Sequence, residues 1–156
     1  MTQPEPNSNS LTDASCAPDG TSQAVVELTE SASQFDFFQA VRRIEALSRD
    51  MPRAGHATQT KHEAIRISQT PALDFAPSTI DRIDAGNADA NSTGESVQRR
   101  IHLSQRFFGL LGPSGPLGLH MTEQVREQTR HQNDPTLEAF LNLFHHRMAM
   151  LFYRAW

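Results

Sequence analysis

The sequence predicts an α+β fold: an N-terminal helix, a small and partly irregular β region, then two C-terminal helices. Three observations carry this reading. Apolar residues recur at helical spacing from Phe37 to Leu47. The period shifts toward two between residues 62 and 107. Helical spacing then returns, with strong start signals, and runs to the last residue.

Composition narrows the function classes. The chain has 156 residues, and 14 bases against 18 acids give a formal net charge of −4. That balance argues against a protein held to nucleic acid or anionic lipid by bulk charge. Mean hydropathy is −0.52. Cys16 is the only cysteine, which excludes an intrachain disulfide and any multi-cysteine zinc site. No apolar stretch, Phe107 to Leu111 included, comes near the roughly 20 residues that a membrane-spanning helix needs. No base precedes Arg42 and no apolar leader core is visible, so a cytoplasmic protein is expected.

Residues 1–33 are rich in Pro, Asn, Ser, Thr and Asp, with no aromatic residue. Residues 1–34 hold five acids and no base. Such a segment offers little apolar area to offset the entropy of ordering, and reads as a disordered acidic tail. Val25, Val26 and Leu28 are its one small apolar cluster. Structure is expected to begin near Ser33, with residues 34–156 as the folded part. Ser33 with Asp36 resembles a capping box, and Phe37, Phe38, Val41, Ile44 and Leu47 form one face of a helix from about Gln34 to Arg49. Pro52 ends it.

Ile65 and Ile67 alternate with Arg66 and Ser68, a short strand signal. Leu73 and Phe75, between Pro71 and Pro77, suggest an extended, edge-like segment. Ile80 and Ile83 are too sparse to assign. Residues 84–96 read as an acidic polar loop. Val97, Ile101, Leu103 and Phe107 share one parity and read as a core-facing strand, although Arg99 shares it too. Phe107 to Gly118 is a Gly/Pro loop. Thr122 is expected to cap a helix from Glu123 to His131. Asn133-Asp134-Pro135 starts the last helix, with Pro at its first position. Its apolar stripe is Leu137, Phe140, Leu141, Phe144, Met148, Leu151, Phe152 and Ala155.

Candidate chemistry is thin. Glycines 109, 112, 115 and 118 lie three apart, but neither the P-loop nor the G-x-G-x-x-G pattern is present, and no lysine is near. His62-Glu63 begins like a zincin motif, yet Arg66 stands where the second histidine belongs. His145 and His146 are adjacent on a helix and point about 100° apart, a poor geometry for one metal, so a helix-surface or interface position is expected for them. Ser114 does not complete a nucleophile elbow. No cofactor and no metal are expected. The better reading of the loop, dense in Phe107, Phe108, Leu110, Leu111 and Leu117, is a rigid connector or a docking surface. The aromatic and arginine residues of the last helix read as packing or interface positions.

Three strings resemble the TssG family (also ImpH or VasB), baseplate subunits of the type VI secretion system. They are FFQAVRRIE (37–45), FFGLLGPSGPLGLHMTE (107–123) and LEAFLNLFHHRMAMLFYRAW (137–156). Between them, EAIRI and PALDFAP (63–77) are similar to the family's middle segment. Gly118, Met121, Asn142 and His145 depart from the usual residues. The matched strings correspond to the N-terminal half of longer members, so the resemblance implies a fragment, a truncated product or a remnant of such a gene.

What the resemblance implies is non-enzymatic structural work in a baseplate wedge docked near the inner membrane. The implied partners are TssF-like, TssK-like and TssE-like subunits, and indirectly the VgrG spike hub and the sheath. The interface residues expected are Phe107, Phe108, Leu110, Leu111 and Leu117 in the loop, and Phe144, Arg147, Phe152, Tyr153, Arg154 and Trp156 on the last helix. The alternatives are a nonfunctional remnant, or a small hydrolase using Ser114 and a histidine.

Overall fold

A helix that the sequence hides in polar surroundings opens the fold. In the computed structural model, which describes residues 20–59, 62–86 and 100–156, α1 spans Gly20–Glu30. Val25, Leu28 and Ala32 recur at i, i+3 and i+7, and all three are buried. Ordered structure therefore begins well before Ser33. The apolar cluster taken for part of a tail is a docking stripe, and Val26 on the other side stays exposed. Residues 1–19, with Cys16, lie outside the described residues.

A turn of 3-10 helix, Ala32–Gln34, leads into α2, Phe37–Leu47. Asp36 rather than Ser33 is the N-cap: its carboxylate accepts the Phe38 amide at 3.2 Å. Phe37, Ala40, Val41 and Ile44 form the buried face of α2.

Three strands make the sheet: β1 (Ile65–Gln69), β2 (Ile80–Ala85) and β3 (Ile101–Gln105). Their order is β1-β3-β2, with β1 parallel and β2 antiparallel to the central β3. Ile65 and Ile67, Ile80 and Ile83, and Ile101 and Leu103 are all buried in one core with α1 and α2. The three-residue step from Ile80 to Ile83 has a cause. Ile80 pairs with Gln105 and Arg82 with Ser104, so two residues of β2 span one of β3. This bulge resets the parity and returns Ile83 to the core side. A strict period of two does not see such a strand.

The segment around Leu73 and Phe75 is not a strand: it bends, and Phe75 is exposed. Arg106 ties the region to the sheet through ion pairs to Asp74 at 3.5 Å and Asp81 at 3.4 Å. Of the expected loop 84–96, Asp84 and Ala85 belong to β2. The rest beyond Gly86 lies outside the described residues, as do Val97 and Arg99.

The helix α3 runs Leu119–His131 with Gly118 as its N-cap, so Thr122 sits inside it, fully buried, and does not cap it. The helix α4 runs Thr136–Ala155. Pro135 occupies the N-cap position, and the Asp134 carboxylate accepts the Thr136 amide at 3.0 Å. Leu111, Val125 and Leu141 form a second, smaller core between the glycine loop, α3 and α4.

Burial of α1 yields a paired prediction. Leu28→Ala should lower unfolding stability by about 2–4 kcal/mol, and Val26→Ala should change it by less than about 0.5 kcal/mol. Chemical denaturation checks both. Equal, small effects would mean that α1 is not part of the fold.

Candidate protein interface

The helix α4 has two unlike faces: the outer one is apolar, and the inner one carries histidines and an asparagine among apolar residues. The buried residues are Leu141, His145, His146, Ala149 and Met150, with Asn142 half-buried beside them. β1 is an edge strand, so alternate amides on its outer side have no strand partner. α4 supplies one from side chains. The Ile67 amide donates to His146 Nδ1 at 3.1 Å. The Gln69 amide donates to Asn142 Oδ1 at 3.0 Å. Two residues of strand rise about 6.6 Å and four residues of helix about 6 Å. An i, i+4 pair on a helix running against the strand therefore matches successive outward amides.

These donors set the imidazole tautomers. His146 accepts at Nδ1, so its proton is on Nε2 and donates to Glu63 Oε2 at 2.6 Å. His145 accepts the Leu110 amide at Nε2, 3.2 Å away, so its Nδ1 carries the proton and faces Asn142 Oδ1 at 3.0 Å. Both rings are neutral. Burial pushes His145 down to about 4 and also lowers His146, against the opposing pull of Glu63. The expectation of surface or interface histidines is corrected: both are core residues that satisfy buried backbone. Among the described residues no group of histidine, cysteine and carboxylate side chains is arranged to hold a metal.

The glycine loop is pinned by the same means. The Gln69 side-chain amide makes two bonds to Leu111, donating to its carbonyl at 2.8 Å and accepting its amide at 3.0 Å. Gln105 does the same for Phe108, accepting its amide at 2.9 Å and donating to its carbonyl. Thr122 Oγ1 accepts the Gly112 amide at 2.9 Å. Gly109 (φ 147°) and Gly112 (φ 87°) adopt backbone that disfavours side chains. A Cβ on Gly109 would also run into the Gln69 amide. The loop is thus a rigid connector. Leu111 is fully inside the second core, with Leu110 and Leu117 packed partly against it. Ser114 is exposed at the loop's tip.

Phe107 and Phe108 join an aromatic cluster that bridges α2, the loop and the end of α4. Phe108 stacks on Phe152 with centroids 4.9 Å apart, and Phe38 stacks on Trp156 at 4.6 Å. Phe107 lies 5.2 Å from Phe37. Tyr153 OH donates to Glu45 Oε2 at 2.7 Å. Burial and that carboxylate push the phenol up to about 12. Arg154 donates to the Gly55 carbonyl at 3.2 Å. Trp156 remains largely exposed, with the Arg42 guanidinium 5.4 Å from its ring.

The outer face of α4 is apolar. Phe140 (53%), Leu143 (55%), Phe144 (49%) and Leu151 (48%) are exposed. Phe140 and Phe144 meet edge to face, 5.3 Å apart. Arg147 lies on the same face and is exposed. Of the interface residues expected from sequence, Phe144, Arg147, Phe152, Arg154 and Trp156 are accessible, Phe107, Phe108, Leu110, Leu117 and Tyr153 are half-buried, and Leu111 is core. Sequence reasoning missed Leu143 and the bracing roles of Gln69, Gln105 and Thr122. The available signal was a pair of histidines and an asparagine within one otherwise apolar helix.

A family model described as "Type VI secretion, TssG" matches residues 31–156. No curated protein and no solved structure matches the chain.

Neutral His145 makes stability depend on pH. Its pKa is 6.5 when unfolded and about 4 when folded, so the unfolded chain binds more protons between these values. The stability it contributes is complete above pH 6.5 and is lost as pH falls toward 4, about 3 kcal/mol in all. His146, shifted in the same direction, adds to that slope. Urea titrations across this window should show stability falling on acidification, and His145→Gln should flatten the curve. A slope unchanged by that substitution would contradict the assignment.

Proposed function

The chain belongs to the TssG family of type VI secretion baseplate components, and on that premise we propose that it is a non-enzymatic scaffold that docks other wedge subunits through the outer face of α4. The family match over residues 31–156 supports a structural role. The partners of this reading are TssF-like, TssK-like and TssE-like subunits, with indirect contact to the VgrG hub and the sheath. The place is the cytoplasmic baseplate near the inner membrane. Among the described residues no helix is long and apolar enough to cross a membrane.

One observation carries the interface. Phe140, Leu143, Phe144 and Leu151 form a row of large apolar side chains left in water on a helix whose other face is anchored to the sheet. Contiguous exposed apolar surface of this kind marks interaction sites. The Phe140–Phe144 pair is a compact aromatic anchor of the sort that dominates binding energy. Arg147 beside it adds a charge able to set orientation.

The test is co-expression with TssF-like and TssK-like subunits followed by size-exclusion chromatography. The unaltered chain should co-elute with them. Phe140→Asp with Phe144→Asp should abolish co-elution while leaving the melting temperature close to that of the parent, because neither side chain is in the core. Unchanged co-elution would refute the assignment of this face. Leu111→Asp is the folding control: its side chain is buried, so it should unfold the chain whatever α4 binds.

A further inference from the structure

Away from the outer face of α4, a cleft of about 640 Å³ opens between the end of α2, residues 48–56, the approach to β1 and the last turn of α4. Four arginines line it: Arg42, Arg49, Arg53 and Arg154. Two acids, Glu45 and Glu63, line it as well, and both are committed to internal bonds. Glu45 accepts the Ala54 amide at 2.7 Å through one oxygen and the Tyr153 hydroxyl at 2.7 Å through the other. Glu63 accepts from His146.

The arginines are left over. Among the described residues, none of the four forms an ion pair with a carboxylate. Arg42 rests over the Trp156 ring, and Arg154 donates to a backbone carbonyl. Arg49 and Arg53 are exposed, and their side chains make no hydrogen bond within the described chain. Among the Arg, Asp and Glu side chains of the lining, four positive charges face two negative ones in one concave site. Yet the chain as a whole is negative.

We propose that this cleft is a binding site for a carboxylate-rich segment of a partner protein. Guanidinium groups match carboxylates as planar, two-pronged donors, and a concave wall strengthens such bonds by excluding water. The volume suits a few side chains of an extended peptide. Nucleic acid fits less well. A chain of net charge −4 lacks the extended positive track that phosphate binding requires. This site is separate from the α4 face and stands or falls without it.

Fluorescence anisotropy tests it directly, with the full chain and two labelled probes: a peptide of alternating Glu and Ala, and the same peptide with Gln in place of Glu. The Glu peptide should bind, and the Gln peptide should not. Arg49→Glu with Arg53→Glu should weaken binding of the Glu peptide at least about tenfold, since two charge-assisted contacts are replaced by repulsion. The gentler Arg49→Gln with Arg53→Gln should act in the same direction. Arg126→Glu with Arg130→Glu removes equal charge from α3 and should leave binding unchanged. The proposal is overturned if both Glu-substituted pairs weaken binding equally, or if the Gln peptide binds as tightly. It is also overturned if labelled single-stranded DNA binds more tightly than the Glu peptide and loses binding with the Arg49 and Arg53 changes.

Discussion

The open edge of β1 governs how this chain is built. A three-stranded sheet leaves two edges, and on β1 the outward amides of Ile67 and Gln69 face the protein interior and not water. An unmade bond to a buried amide costs on the order of 1–3 kcal/mol, more than the net gain from a typical satisfied one. α4 meets this demand with His146 and Asn142, one helical turn apart. The adjacent His145 reaches the Leu110 amide of the glycine loop. Three neighbouring polar side chains on one helix thereby hold a strand and a loop.

That arrangement fixes which side of α4 meets water. A helix that offers histidine and asparagine to the core must turn its opposite stripe outward, and here that stripe is phenylalanine and leucine. The apolar face is the geometric consequence of using the polar one as a brace. The glycine loop obeys the same logic. Gln69 and Gln105 each make a pair of bonds to loop backbone, in the manner of a strand partner, and Thr122 adds a third anchor. A loop so held is stiff, and the aromatic rings of Phe107 and Phe108 are delivered to fixed positions against Phe37 and Phe152.

Much of the architecture was legible in the residues. The α+β class, α2, β1, β3 and α4 follow from apolar spacing, whereas α3 was read from a cap at Thr122 that instead lies inside the helix. Three features were not, each for a physical reason. β2 contains a bulge, so Ile80 and Ile83 break the strict alternation. α1 has only a few apolar residues in a polar stretch, and its order comes from docking on the sheet rather than from its own propensity. The facing of α4 stayed open between packing and interface, although apolar stripes ordinarily favour the core side. Here the need to satisfy backbone at a sheet edge outweighed that tendency. The candidate interface was partly legible for the same reason: Phe144, Arg147 and Trp156 are accessible, whereas Leu111 is sealed within the second core. The long strings shared with the TssG family spanned residues of both kinds.

The inward polar face of α4 is the claim on which the rest depends, and nitrogen NMR of the histidine rings tests it most directly. His145 should appear as the Nδ1-protonated neutral tautomer and His146 as the Nε2-protonated one, each retaining its form as pH is lowered through 6.5. Rapidly exchanging tautomers that titrate near 6.5 would place both rings in water. They would contradict the packing of α4 on β1.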